Sequence, residues 1–142
     1  MAAIQQLLDK KGHDVWSVHP DDSVFNAIKE MADKQIGSLV VLEDDKIVGI
    51  ITERHYARNV ILKGKSSPDT PVRDIMTTRV VCARPAQTVQ ECMAVMTERR
   101  VRHLPVVDHK RLIGLVSIGD LVKHIIADQE FTIEQLTHYI HG

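Results

Sequence analysis

Apolar and polar residues alternate in two distinct patterns along the chain, and the order of these patterns occurs twice. Apolar residues within 24–31 are spaced three and four apart, which predicts one face of a helix. The runs SLVVL and IVGII then flank the polar turn EDDK, which predicts two buried strands joined by a hairpin. A helix over 89–96 and the runs HLPVV and LIGLV around DHKR repeat this order. The chain is therefore predicted to contain one structural unit in two copies.

The two copies align without a gap, residues 15–61 with residues 80–126. Pro20 meets Pro85 and Gly49 meets Gly114 in this register, and the apolar pattern agrees throughout. Ser23 and its counterpart Thr88 are predicted N-caps of the first helix. Each copy reads as β-α-β-β-α, from an extended piece (VWSV or VVCA) to a last helix after IVGIIT or LIGLVS. One such unit is too small to bury its helices alone, so the two copies should pack through their sheets.

The segments outside the repeats are predicted to be short helices and a linker. Pro71 suits the first turn of a brief helix, PVRDIM. Thr132 is a possible N-cap of a short C-terminal helix, which is expected to dock on its own repeat or on the partner's. The apolar residues of that last helix are Phe131, Ile133, Leu136 and Ile140. The expected organisation is an N-terminal helix over 1–13, repeats over 14–62 and 79–127, a linker over 63–78 and a C-terminal helix over 128–142.

Composition excludes several classes of partner. The 18 Lys and Arg balance 19 Asp and Glu, and aromatic residues make up only 4%, so we expect neither nucleic acid nor a membrane as partner. The N-terminus has early charges and no long apolar run, which argues against a signal peptide and predicts a cytoplasmic protein. Cys82 and Cys92 lack metal-site spacing and are interpreted as small core residues.

One motif in the repeat carries candidate chemistry. GLVSIGD places Ser117 three residues before Asp120, and GIITERH places Thr52 three residues before His55. A hydroxyl followed by an acid at this spacing is close to a helix capping box. A carboxylate can also accept hydrogen bonds from both hydroxyls of a ribose, and the free N–H groups of a helix start can bind phosphate. Both interpretations of Asp120 stay open, and they are compatible.

A gapless pair of such units resembles the cystathionine-β-synthase-type (CBS) domain pair, or Bateman module, of small stand-alone bacterial proteins. The matching segments are IGSLVVLEDDKIVGIITERHYAR and RVRHLPVVDHKRLIGLVSIGDLV. The resemblance implies a mixed α/β (α+β) fold of two repeats related by pseudo-two-fold symmetry, with flanking helices. It also implies clefts between the repeats that bind adenosine ligands. AMP or NAD is expected there, ATP, ADP and S-adenosylmethionine are alternatives, and no metal is required.

The resemblance assigns roles to individual residues. Asp120 and Ser117 would bind the ribose in one cleft, and Thr52 and His55 occupy the matching positions of the other. His55 departs from the family's usual aspartate, and a neutral imidazole cannot accept both ribose hydroxyls. Protonated beside Arg54, it would instead help to hold phosphate. The expected phosphate-binding residues are Arg54, Arg58, Arg102, His103 and Ser38, and the expected adenine pocket consists of Val15, Trp16, Pro20, Val80, Val81 and Pro85.

Several of these residues have a simpler interpretation. Arg54 and Arg58 could form a solvated helix face, Arg102 and His103 could be surface charges, and Trp16 is more often a core residue than a ligand platform.

Catalytic motifs are absent from the sequence. It has no P-loop, G-x-G-x-x-G, G-x-S-x-G or H-E-x-x-H, and His138 and His141 are too few ligands for a metal site. We therefore expect a regulatory or sensor protein that is not an enzyme and that acts on an unknown protein partner. The alternative is a dimerising interaction scaffold with vestigial clefts. A homodimer is expected, with Val60, Ile61, Leu121, Val122, Ile125 and Ile126 as interface candidates.

Overall fold

The chain divides into two units, each containing one copy of the repeat. The structure, a computed structural model, describes residues 2–141 and the side chains of residues 2–138. The first-repeat unit comprises residues 14–81, and the second-repeat unit comprises the residues up to His13 together with those from Cys82 onward. The N-terminal helix thus belongs to the second-repeat unit, although it precedes the first repeat in sequence.

The element order confirms a mixed α and β fold with two similar halves. The helices and strands are α1 (Ile4–Lys11), β1 (Ser17–Val18), α2 (Val24–Lys34), β2 (Ser38–Glu43), β3 (Lys46–Thr52), α3 (Glu53–Tyr56), a π-helical turn (Ala57–Ile61), a 3-10 turn (Val72–Asp74), α4 (Val89–Arg99), β4 (His103–Asp108), β5 (Arg111–Ser117) and α5 (Ile118–His141). The brief helix predicted for PVRDIM is the 3-10 turn, and Pro71 stands at its N-cap position.

Each unit is built on one antiparallel hairpin. In the first-repeat unit β1 lies parallel to β2, and β2 pairs with β3 so that Ser38 faces Thr52. In the second-repeat unit β4 pairs with β5, and His103 faces Ser117. The predicted strand VVCA is reduced to one parallel bridge, between Ala83 and Val106. The open end of each hairpin therefore meets the start of the following helix.

The predicted N-caps are confirmed. Ser23 Oγ accepts a hydrogen bond from the N–H of Asn26 at 3.1 Å, and Thr88 Oγ1 accepts one from the N–H of Glu91 at 3.0 Å. The apolar faces of α2 and α4 are buried as expected, with Val24, Ala27, Met31, Val89, Cys92 and Met96 at the core.

A glycine in the second strand of each hairpin is covered by a segment from outside the repeat. A methyl group at Gly114 would lie 2.6 Å from Leu8 Cδ2, because the buried face of α1 packs there. A methyl group at Gly49 would lie 2.8 Å from the carbonyl oxygen of Thr77, which pairs with Ile50 in a backbone bridge. Helix α1 is therefore part of the core of the second-repeat unit.

The C-terminal segment differs from the prediction. It continues α5 instead of forming a separate helix, because no proline occurs after Ile118 and no glycine between Gly119 and His141. Thr132 is not an N-cap, since its hydroxyl donates to the carbonyl of Asp128 at 3.0 Å within the helix. The expected docking is also wrong within this chain, because Phe131 is 60% exposed. The side chains of Ile140 and His141 lie outside the described residues.

Three further assignments are corrected by burial. Val60 and Leu121 are fully buried, Val60 in the first-repeat core, so neither is available to an interface. Cys82 is exposed rather than a core residue, whereas Cys92 is buried, and burial raises the pKa of its thiol to about 11.

Among residues 2–141, no helix is both long enough and apolar enough to cross a bilayer.

Candidate functional site

The start of α5 is closed by a capping box formed from the GLVSIGD motif. The N–H of Asp120 donates to Ser117 Oγ at 3.1 Å, and the N–H of Ser117 donates to Asp120 Oδ2 at 2.9 Å. These bonds satisfy two backbone donors that the first helical turn would otherwise leave free. The capping interpretation of Asp120 is confirmed, and it fixes the carboxylate at the helix start.

A lysine from α1 completes the surroundings of this carboxylate. Lys11 Nζ donates to Asp120 Oδ2 at 2.5 Å and to the carbonyl of Leu115 at 2.6 Å. Both donors to Asp120 use the same oxygen, and Oδ1 accepts no hydrogen bond from the described residues. Sequence analysis missed Lys11, because it lies 109 residues from Asp120 and belongs to no motif.

Asp120 is ionised at neutral pH. Burial works against its charge, but the hydrogen bond from Lys11, the bond from the Ser117 N–H and the positive charge of Lys11 together lower its pKa. The result is a fixed carboxylate whose side chain keeps a quarter of its surface accessible.

Two predicted phosphate-binding residues lie at the same end of the β4–β5 hairpin. His103 pairs with Ser117 across the hairpin, and the carbonyl of Arg102 accepts from the N–H of Ile118 at 2.8 Å. Burial, and next the charge of Lys11, lower the pKa of His103, so the ring is neutral at pH 7. His103 can therefore offer one N–H donor, while exposed Arg102 supplies the charge.

The two prolines predicted for the adenine pocket lie toward the turns of their hairpins, at the ends away from the starts of α3 and α5. Parallel pairing at Ala83 directs the chain toward the β4–β5 turn, so Pro85 lines a groove there with Asp108. Pro20 is likewise carried toward the turn of β2–β3, where it is buried and its carbonyl accepts from the N–H of Arg73 at 2.9 Å. Neither proline joins the residues at the helix starts.

His55 occupies the position of Asp120 in the first repeat and forms the same cap. The N–H of Thr52 donates to His55 Nδ1 at 3.2 Å, and the N–H of His55 donates to Thr52 Oγ1 at 3.3 Å. Burial, followed by the charges of Arg54 and Arg58, lowers the pKa of His55. The expectation of a protonated His55 is wrong, since Nδ1 is an acceptor and the single proton is on Nε2.

The remaining first-repeat candidates surround the open end of the β2–β3 hairpin. Ser38 is buried opposite Thr52, and Arg54 and Arg58 are exposed on the helix that follows. The carbonyl of Trp16 accepts from the N–H of Val40 at 3.4 Å, which brings the tryptophan beside the start of β2.

Trp16 is not the core residue that its type favours. Its side chain is 40% exposed, and the ammonium of Lys34 lies 4.1 Å from the centre of its ring. Val15, Val80 and Val81 are half-buried outside the strands. No group of three or more His, Cys, Asp or Glu side chains within the described part of the chain is arranged to hold a metal.

A family model agrees with the duplicated architecture. The model of the CBS domain matches residues 10–61 and again residues 72–127. The chain belongs to the CBS-domain family. The resemblance of the sequence to a CBS pair is thereby confirmed, and CBS pairs are regulatory, ligand-binding modules.

Individual CBS proteins support the same assignment. The mitochondrial CBS domain-containing protein CBSX3 of Arabidopsis thaliana is 41% identical over 127 residues, which is 86% of this chain and 62% of that protein. This chain therefore spans less than two thirds of that relative's length. A solved CBS-domain protein from Burkholderia ambifaria is 51% identical, with a TM-score of 0.87 over 90% of this chain and 96% of that one.

A more distant structure shares the fold. The CBS domain pair of protein MJ0100, in complex with 5′-methylthioadenosine and S-adenosylmethionine, is 23% identical, with a TM-score of 0.80 over 90% of this chain and 98% of that one. Relatives of this chain are generally regulatory rather than catalytic CBS proteins.

The second CBS repeat thus combines complementary groups in one place. Asp120 Oδ1 is a charged acceptor, while Lys11, Arg102 and His103 are donors, two of them cationic. A molecule with paired hydroxyls and an anionic group fits this combination, because carboxylates accept from hydroxyls and cations bind phosphate.

Proposed function

We propose that this CBS pair is a regulatory module that binds an adenosine nucleotide and transmits binding to a protein partner. The observation that carries the proposal is the ionised carboxylate of Asp120, which is fixed by its cap and has one oxygen without a hydrogen bond from the described residues. Asp120 accepts the ribose hydroxyls, and Ser117 holds the helix start against the ligand. Arg102 and His103 contact the phosphate.

The proposed ligand is AMP or an NAD-type nucleotide, with ATP, ADP and S-adenosylmethionine as alternatives. Phosphate-bearing ligands are favoured because cationic and neutral donors stand beside the carboxylate. The adenosine class is also supported by the MJ0100 pair, which has the same fold and holds two adenosine-containing molecules.

The first CBS repeat is proposed to bind an anionic group without hydrogen-bonding both hydroxyls of a ribose. His55 presents only an Nε2 donor, since its Nδ1 accepts from Thr52. The side chains of Arg54 and Arg58 are exposed, and together with Ser38 they are the proposed phosphate contacts of this repeat. Val15 and Trp16 are proposed to contact adenine here. Val80 and Val81 stand at the corresponding positions of the second repeat.

A ligand screen followed by two matched variants tests this function. Thermal shift with AMP, ADP, ATP, NAD, NADH and S-adenosylmethionine identifies a ligand, because binding to the native state raises Tm. Asp120→Ala should then weaken that ligand by roughly tenfold to a hundredfold in calorimetry, the cost of a lost charged hydrogen bond. His55→Ala is the control, because it removes the equivalent cap and should leave the affinity of the Asp120 site unchanged.

The outcomes separate ligand binding from capping. Equal affinity of Asp120→Ala and the wild type would show that Asp120 acts only as a cap. Failure of every adenosine ligand to bind the wild type would favour the interaction scaffold with vestigial clefts. The gain-of-function variant His55→Asp restores the second carboxylate and should strengthen or create binding in the first repeat.

We also propose that the protein is a cytoplasmic homodimer. Several large apolar residues of α5 are exposed, and large exposed apolar surface marks protein interfaces. They are Ile118, Val122, Ile126, Phe131, Ile133 and Leu136. Sedimentation equilibrium should show a dimer at micromolar concentration, and Ile126→Lys should shift it toward monomer. A monomeric wild type would contradict the proposal.

A further inference from the structure

Helix α1 holds Lys11 in a fixed position against the second-repeat site. Ile4 and Leu8 are fully buried, and the N–H of Ile4 donates to the carbonyl of Gln87 at 2.8 Å. Lys11 is the last residue of this helix, and its ammonium reaches both the Leu115 carbonyl and Asp120 Oδ2. Because buried residues anchor α1, its C-terminal Lys11 is held against Asp120, and the contact between the two side chains is part of the folded unit.

The pair between Lys11 and Asp120 competes with part of the proposed ribose contact. Two ribose hydroxyls that bind one carboxylate use both oxygens, and Oδ2 already accepts from Lys11 and from the Ser117 N–H. A ribose must therefore weaken or displace the bond from Lys11. The Leu115 carbonyl stays available to the ammonium, but it is neutral and replaces only part of the lost interaction.

The presence of a phosphate changes this competition. A phosphate on the same ligand offers the displaced ammonium a charged acceptor, whereas an uncharged nucleoside offers none. The balance matters because the Lys11 and Asp120 side chains are 37% and 25% exposed, so water compensates only partly.

We infer that Lys11 is a specificity-determining residue, which makes the second CBS repeat select phosphorylated adenosine ligands over adenosine itself. The inference rests on the proposed ribose-binding role of Asp120 and adds a residue outside the repeated motif. Lys11 competes with the ribose of every ligand for Asp120. Only a ligand that carries a phosphate gives the displaced ammonium a charged acceptor in return.

Calorimetry with adenosine and AMP on the full chain tests the inference. Lys11→Met keeps the apolar stem of the side chain and removes its charge. It should raise adenosine affinity while changing AMP affinity little, and so reduce the AMP preference by roughly tenfold or more. Lys10→Met is the matched control, because Lys10 is exposed on the same turn and its side chain makes no hydrogen bond or ion pair with the described residues. Lys11→Arg preserves the charge, should keep the preference, and gives a second measurement if Lys11→Met folds poorly.

The results distinguish this inference from the function on which it rests. An unchanged AMP-to-adenosine ratio in Lys11→Met, with binding retained, overturns the role of Lys11 alone. Loss of the preference in Lys11→Arg also overturns it, because the positive charge is still present. Failure of the wild type to bind AMP, NAD or any other adenosine ligand overturns the proposed function together with the inference.

Discussion

The packing of Leu8 on Gly114 predicts a strong coupling between two substitutions. Leu8 is fully buried on α1, so Leu8→Ala should lower the free energy of unfolding by about 3 kcal/mol, within the usual range for a buried leucine. Gly114→Ala alone should cost about 1–3 kcal/mol as overpacking. The reason is that its new methyl group would lie 2.6 Å and 2.8 Å from the two Cδ atoms of Leu8.

The double variant should be much more stable than the sum of the two costs implies. The three atoms nearest to a methyl group at Gly114 are Cδ2, Cδ1 and Cγ of Leu8, and Leu8→Ala removes all three. The added methyl group then fills part of the cavity rather than clashing with its wall. We expect a coupling free energy of about 1–3 kcal/mol in favour of the double variant.

Urea denaturation of the wild type, both single variants and the double variant measures this coupling. The urea concentration at the midpoint of unfolding should differ between the variants. The slope of the unfolding free energy against urea concentration should stay the same, since no variant changes the surface exposed on unfolding to a large extent. The pair Leu8→Ala and Gly49→Ala is the control, because the neighbours of Gly49 are Met76 and Thr77. Additivity of Leu8→Ala and Gly114→Ala within about 0.5 kcal/mol would refute the packing of α1 on this strand. It would also remove the anchor that places Lys11.

Two further predictions concern the ion pair and a hairpin turn. Because the folded pKa of Asp120 is lowered, its stabilisation is present above the unfolded pKa and is lost as pH falls through the folded pKa. The stability difference between wild type and Asp120→Asn should therefore shrink below about pH 4 in denaturation series, and a constant difference would contradict it. Lys110 has a φ of 66°, a conformation that glycine adopts without strain, so Lys110→Gly should raise stability by about 1 kcal/mol. A lower melting temperature for Lys110→Gly would show that the turn is not strained.

The sequence alone determined the local elements of this protein and their duplication. Helix faces, caps at Ser23 and Thr88, and both hairpins follow from interactions between residues a few positions apart, which a linear pattern records directly. The capping interpretation of Ser117 and Asp120 has the same origin, since both bonds lie within one helical turn. The family followed from these patterns because the repeat preserves their order.

Tertiary structure decided which of these local elements meet, and in which state their side chains are held. Lys11 reaches Asp120 because α1 buries its apolar face in the second-repeat unit, a choice made by packing across most of the chain. Pro85 lies away from Asp120 because a parallel strand register fixes its direction, and no pattern in its own neighbourhood specifies that register. His55 is neutral because burial disfavours its charge, and burial is a property of the folded surroundings rather than of the residue.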